Sequence, residues 1–566
     1  MNFWFLIATL VGTATASLTF DEKLIPKVDA ALPIFSLKAP VQVPEDLFLS
    51  FVRASSPNLK LTEDSKNNLQ LGYDRDILVS LVNRTSGATT IYPNLQELKP
   101  VKDIDVGLAQ KYIKDPNMFP RDDTKFSIVI GSRLLGTNQR KGEKPTSPLA
   151  YLAHASVQRK ISAGGRDIPV CGPGSRASFG FGADGQVHSL SYQWNPAALA
   201  SDRVKPIPAE QIYKSISKQL SSYAESRAVK VDAVDLCFYD SGLKYMQPVY
   251  QFRATLNADQ LPGINKTAPS HILGYISVGK TALEDIPSLS SPRKGVDPGN
   301  PFQSPKPQNS ASPGRRRSLT ERAIGSTVNI GRYVVRDDSG GFVQNARDFW
   351  GGLGGPGGLW FLSPVATFVD KQFYWSKPFL FTSDKDSFIN QVHVAHVEAH
   401  GAVHLFTTEK SCCDTVSLAD IPSTGYGGGA GGILAYWTIH TCSFIPTTDD
   451  FSAADSNLAW DPWWPVFNGI HAVTGARTHT YIQDDVMEKF GIALSLGASY
   501  VGAWLGAMYV TYHDRGDPTY FDDAVKKTQP LGRASAVFVT GHVNDNVLQL
   551  GNLGRPGQLS MMWYAN

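Results

Sequence analysis

The chain has almost no excess charge of either sign: 53 Lys and Arg face 51 Asp and Glu, a formal net charge of +2 over 566 residues. A polyanion-coating role is a poor fit to that balance, and no nucleic-acid partner is expected. Cysteine is scarce at five residues, so the chain is not a scaffold in which disulfides replace a core. HExxH and GxSxG are both missing, which removes the commonest zinc-peptidase and serine-hydrolase signatures. What is present is a globular composition, 42% hydrophobic and 18% charged, at a length suited to several domains of roughly 100–200 residues. The 50 Gly and 36 Pro favour many turns and a linker over helical bundles.

Residues 1–17 read MNFWFLIATLVGTATAS, an apolar stretch followed by Ala14 and Ala16 in the small-x-small spacing that signal peptidase cleaves. Residues 1–16 are therefore expected to be a signal peptide, and the mature protein to be secreted and extracellular. The stretch is well short of the ~20 apolar residues a bilayer crossing needs. Asn83-Arg84-Thr85 and Asn265-Lys266-Thr267 are glycosylation acceptors in such a chain. Residues 490–512 carry no charge and include Gly502-x-x-x-Gly506, but their Gly, Ala and Ser content predicts one helix buried against a sheet. No stable membrane insertion is expected.

In an oxidising compartment, an odd number of cysteines leaves at least one thiol unpaired within the chain or sends it to a partner chain. Cys171 and Cys237 lie in the same half and can pair, whereas adjacent Cys412 and Cys413 form a strained vicinal ring or pair elsewhere. Cys442 is then the natural candidate for the free thiol, although several pairings satisfy the parity.

Residues 286–325 are rich in Pro, Ser and Gly with few large apolar side chains, the composition of a linker. They separate an α+β N-terminal region, 17–285, from a C-terminal domain, 326–566. Arg315, Arg316 and Arg317 within the linker are either an accessible cut site for a processing protease or a solvated charge cluster. In the N-terminal region, helical spacing over 207–222 is followed by strand-like 231–240 and 246–256. This order resembles the PepSY and fungalysin-type propeptide modules that precede secreted peptidases. Gly274 to Thr281 fits the P-loop pattern formally, but its interior reads as a strand; Gly352 to Gly357 fits GxGxxG but reads as a loop.

In the C-terminal domain a strand is expected near 328–335 and a helix near 342–349. The apolar runs 392–399 and 433–439 read as central parallel strands covered by helices, giving an α/β sandwich. Seven of the 12 histidines fall between His393 and His479. His396 and His400 are four apart, but on a strand that is ~13 Å, too far to share a metal. No metal or cofactor is therefore assigned. The sharper constellation is His400-Gly401 after one apolar strand and Cys442 after the next. Catalytic groups of open α/β sheets gather at the carboxyl ends of strands, where imidazole can activate a thiol and a glycine lets a backbone N–H approach an oxyanion.

HVAHVEAHG and ILAYWTIHTC resemble the strand, His-Gly, strand, Cys pattern of the caspase-like (clan CD) cysteine peptidases. The resemblance implies a caspase-like sandwich with a mainly parallel sheet, Cys442 as nucleophile, His400 as base or acid, and Gly401 in the oxyanion hole. Thr441 departs from the Ala or Asp frequent before the nucleophile. The His-Gly, Cys412-Cys413-Asp414 and FNGIHAVTG segments also resemble an uncharacterised domain family of bacterial and fungal proteins. Asp384, Glu398, His440 and His471 are expected to face the same crevice, whereas Trp463 and Trp464 are read as packing residues.

The expected function is a secreted thiol hydrolase or transacylase acting on peptide or protein substrates, with the N-terminal region as chaperone or inhibitor. A secreted binding scaffold with an inactive dyad is the alternative. A metal-dependent hydrolase built on the histidine cluster is the third reading.

Overall fold

The computed structural model describes residues 17–101, 106–225, 228–257, 269–289, 297–301, 327–336, 340–354, 364–408, 414–428, 431–522 and 527–565. The expected signal peptide, Asn265, Arg315 to Arg317, Cys412 and Cys413, and most of the expected linker lie outside the described residues. The fold is mixed α/β around a large mixed sheet.

In the N-terminal region two long strands, β1 (Lys125–Arg140) and β2 (Leu149–Ala163), pair antiparallel. Helix α1 (Ala209–Ala224) buries Ile212, Ile216, Leu220 and Tyr223, the one-sided spacing of an amphipathic helix. It packs on β3 (Ala228–Asp240), which forms an antiparallel meander with β4 (Tyr245–Asn257) and β5 (Ser270–Ser277). Cys171 and Cys237 are disulfide-bonded, tying β3 to the strand Arg166–Cys171 alongside it.

The C-terminal region supplies β6 (Thr327–Val334), α2 (Gly341–Gly352), β7 (Thr367–Trp375), β8 (Val394–Glu398), β9 (Tyr436–His440) and β10 (Ala472–Ala476). Helices α3 (Val486–Ser495) and α4 (Tyr500–Asp514) follow, then β11 (Ala534–Val539) and β12 (Gln558–Tyr564). Across the sheet the order is β7-β6-β8-β9-β10-β11-β12, with the first five strands parallel and the last two antiparallel. The sheet does not stop there. β12 pairs antiparallel with β1, so both regions share one hydrogen-bonded ladder.

Every residue of β8 and β9 is buried, as the unbroken apolar runs required. One face of this pair, carrying His396, Glu398, Thr438 and His440, lies under α2 and α4: Phe349 stacks on His396 and Trp504 meets His440 edge-on. The other face holds Trp437 against Phe381 and Tyr426.

The single helix expected over 490–512 is two helices. Gly497 sits at φ +88°, a conformation that ends α3, and the Ser499 hydroxyl then accepts the Gly502 N–H to start α4. Hydropathy alone misses the break, because within 490–512 the turn residues are as uncharged as the helical ones on either side. Among the described residues no helix is long and apolar enough to cross a membrane.

Candidate active site

The chain order reverses at β6: β7 lies on one side of it and β8 on the other, and ligand crevices of open sheets form outside the carboxyl ends at such a point. Glu398 and His440 are directly paired across β8 and β9. His400 and Cys442, each two residues further on, therefore emerge from adjacent carboxyl ends. Thr407 holds the first tip, its N–H bonding the His400 carbonyl at 2.8 Å and its hydroxyl accepting the His400 N–H at 3.2 Å. Gly401 is needed for close approach: a Cβ there would stand 2.5 Å from Thr441 Oγ1 and 2.9 Å from the Cys442 carbonyl oxygen. Ser443, directly after Cys442, takes a left-handed φ of +52°, unusual for a residue with a Cβ.

The crevice is crossed by the start of β5, from the N-terminal region. Ser270 Oγ lies 2.8 Å from His400 Nδ1, and the Cys442 thiol donates to the Pro269 carbonyl at 3.6 Å. Thr480 closes the other side of the thiol, with its N–H 3.4 Å and its hydroxyl 3.7 Å from Sγ. The β5 end is itself anchored, because the His271 N–H donates to the Thr480 carbonyl at 3.4 Å and the His271 carbonyl accepts the Ile482 N–H at 3.0 Å. His271 Nε2 and His479 Nδ1 meet at 3.0 Å, and Tyr520 stacks on His479 at 3.9 Å between ring centroids.

Cys442 is 2% exposed, and burial pushes its thiol above the ordinary cysteine range despite hydrogen bonds from Thr480 and Ser270. Burial lowers both His271 and His479 to about 3, helped at His271 by the proximity of His479 and Arg253.

Below the tips lies a second polar group. Glu398 is fully buried, with His440 Nδ1 at 3.0 Å, His396 Nε2 at 2.9 Å and Asn345 Nδ2 at 3.1 Å. Burial opposes a charge on His440, but the Glu398 and Asp484 carboxylates outweigh it and lift the imidazole to about 9. Burial likewise opposes the Glu398 charge, and its two histidines outweigh that, leaving the carboxyl below its usual range. The pair is therefore a buried ion pair under the crevice, not a wall of it.

Other expected crevice residues lie elsewhere. Asp384 is exposed on the connection between β7 and β8, where it precedes a single 3-10 turn. His471 precedes β10 and so sits at the amino end of the sheet, opposite Cys442; the FNGIHAVTG segment enters the strand from the wrong end for the crevice. There it joins His542 and Asp545, the one group among the described residues whose ligand atoms converge as a metal would require. Trp463 is buried against Phe444 and His404, and Trp464 donates to Gln139. Asn83 is partly exposed, its Oδ1 accepting the N–H groups of Thr85 and Ser86.

Pro269, Ser270 and Thr480 were not legible as site residues. Pro269 and Ser270 come from more than 100 positions away, where nothing in the local pattern marks them.

Residues 368–547, which contain both His400 and Cys442, match a family described as a domain of unknown function (DUF6345). No curated protein matches the chain. The crystal structure of an uncharacterized protein from Eubacterium rectale ATCC 33656 is similar over 46% of this chain and 88% of its own, at 12% identity and a TM-score of 0.27.

Proposed function

We propose that the protein is a secreted, caspase-like thiol hydrolase or transacylase acting on peptide bonds, held latent by its own N-terminal region. One observation carries the reading. The Pro269 carbonyl accepts from the thiol and the Ser270 hydroxyl lies at the imidazole, so one stretch of the N-terminal region lies across both groups. Withdrawal of that segment would let His400 take the Cys442 proton. The thiolate would attack a substrate carbonyl carbon, the amine would leave with the proton from His400, and water or a second amine would release the thioester. The reversal of strand order at β6, the left-handed Ser443 beside the thiol and the tight seat of Gly401 support the same reading.

The second reading, a binding scaffold with a structural Cys442, draws on the burial of the thiol and its raised pKa. Alkylation separates the two. Native wild type, Ser270→Ala and Ser270→Ala/His400→Ala are treated with iodoacetamide from pH 5 to 9, and the labelled residue is mapped by mass spectrometry. The peptidase reading expects slow labelling in wild type, faster labelling at low pH in Ser270→Ala, and loss of that gain when His400 is removed. Labelling of Cys442 that rises only at alkaline pH in all three proteins would leave the scaffold reading.

A further inference from the structure

We propose that His471, His542 and Asp545 form a divalent-metal site at the amino end of the sheet, suited to Zn²⁺ or another ion that imidazole and carboxylate ligands share. The site is assembled from separate pieces of chain. His471 precedes β10, while His542 and Asp545 lie in the turn after β11, brought alongside because the two strands are antiparallel neighbours. Val539 N–H bonds the His471 carbonyl at 2.9 Å and Tyr500 N–H bonds the Asp545 carbonyl at 2.8 Å, so both backbones are fixed.

The side chains then converge. His471 Nε2 is 2.5 Å from the Gly551 carbonyl oxygen, which can only accept, so that nitrogen carries a proton and Nδ1 is the one turned to the cluster. Nδ1 lies 2.5 Å from Asp545 Oδ2, and His542 Nδ1 approaches the same oxygen at 2.8 Å. Two imidazole nitrogens and one carboxylate oxygen thus meet at one spot, a donor set that a divalent cation takes.

The ligand atoms lie within 4.8 Å of one another, and a tetrahedral Zn²⁺ with bonds of ~2.0–2.2 Å would hold them about 3.3–3.6 Å apart, so binding would replace the 2.5 and 2.8 Å contacts to Asp545 with bonds to the ion and part the three atoms slightly. The carbonyl behind His471 is the outer support that fixes the tautomer of a metal-binding imidazole. Exposure grades across the site: the His471 side chain is 3% exposed, Asp545 20% and His542 36%. Three protein ligands with one open side leave a coordination position to solvent, the pattern of exchangeable or catalytic sites rather than closed structural ones.

The test uses the full chain, stripped with a chelator and titrated with Zn²⁺ and with Co²⁺, whose visible absorption reports coordination. One ion per chain is expected, with affinity falling more than ~100-fold in His542→Gln and in Asp545→Asn, beyond the ~10–100-fold that loss of a supporting residue brings. Unchanged circular dichroism shows that the variants are folded, and Cys442→Ser should bind as wild type does. A folded wild type that binds neither ion, binding that survives both substitutions, or binding lost in Cys442→Ser would overturn the site.

Discussion

The two ends of the parallel strands carry histidines in opposite settings. At the carboxyl end, His400, His440 and the His271–His479 pair are enclosed, and the start of β5 lies across them. At the amino end, His471 is buried behind His542 and Asp545, which open to solvent. The sheet is the same; the difference is what covers it. An end sealed by a distant segment must satisfy its polar groups internally, whereas an open end leaves room for an exchangeable ligand.

The largest contrast is expected in stability. Glu398→Ala strips the counter-charge from a buried His440 and should cost about 3–5 kcal/mol, the usual penalty for breaking a buried pair. The partly exposed His542, replaced by Ala, should move stability by less than ~0.5 kcal/mol without added metal. Urea denaturation of the two variants beside wild type measures both, and equal losses would erase the distinction between a sealed and an open end.

A smaller effect is expected at the strand tips. Gly401→Ala drives a Cβ into Thr441 and the Cys442 carbonyl, an overpacking worth about 1–3 kcal/mol. The same denaturation curve reports it, and a neutral result would mean that the tips separate freely.

The finest distinction is the dependence on pH. His271 and His479 fall to about 3 when buried, so their contribution is complete above the ordinary histidine value of 6.5 and is lost as pH drops through 6.5 towards 3. Arg253 adds to the repulsion when the His271 ring is protonated; Asp232, hydrogen-bonded to Thr255, is the acidic group nearby, since Thr255 also meets His271. His440 behaves oppositely, contributing fully below 6.5 and losing that contribution as pH rises through about 9. His479→Gln should flatten the acid side of the stability profile and Glu398→Gln the alkaline side. A profile with the acid side unchanged in His479→Gln would show that the pair does not seal the crevice.

Much of the local framework could be read from the residues. The runs at 392–399 and 433–439 became β8 and β9, and the spacing of Ile212, Ile216 and Leu220 became one face of α1, because period and burial are local properties of a sequence. The adjacency of Cys171 and Cys237 followed from strand pairing that local pattern only allowed. The break at Gly497 was hidden by uniform hydropathy, and the end of the sheet that His471 occupies depended on which side of its strand the residue fell.

By itself, then, the sequence determined the two central buried strands, the amphipathic helix α1, the placement of His400 and Cys442 just past those strands, and the lack of charge excess. Tertiary structure alone decided that β5 crosses the crevice, that β12 joins β1 in one ladder, and that His542 and Asp545 meet His471. The reason is physical: strand and helix periodicity is written in neighbouring residues, whereas these meetings join segments tens to hundreds of positions apart, and their geometry is fixed only when the core closes.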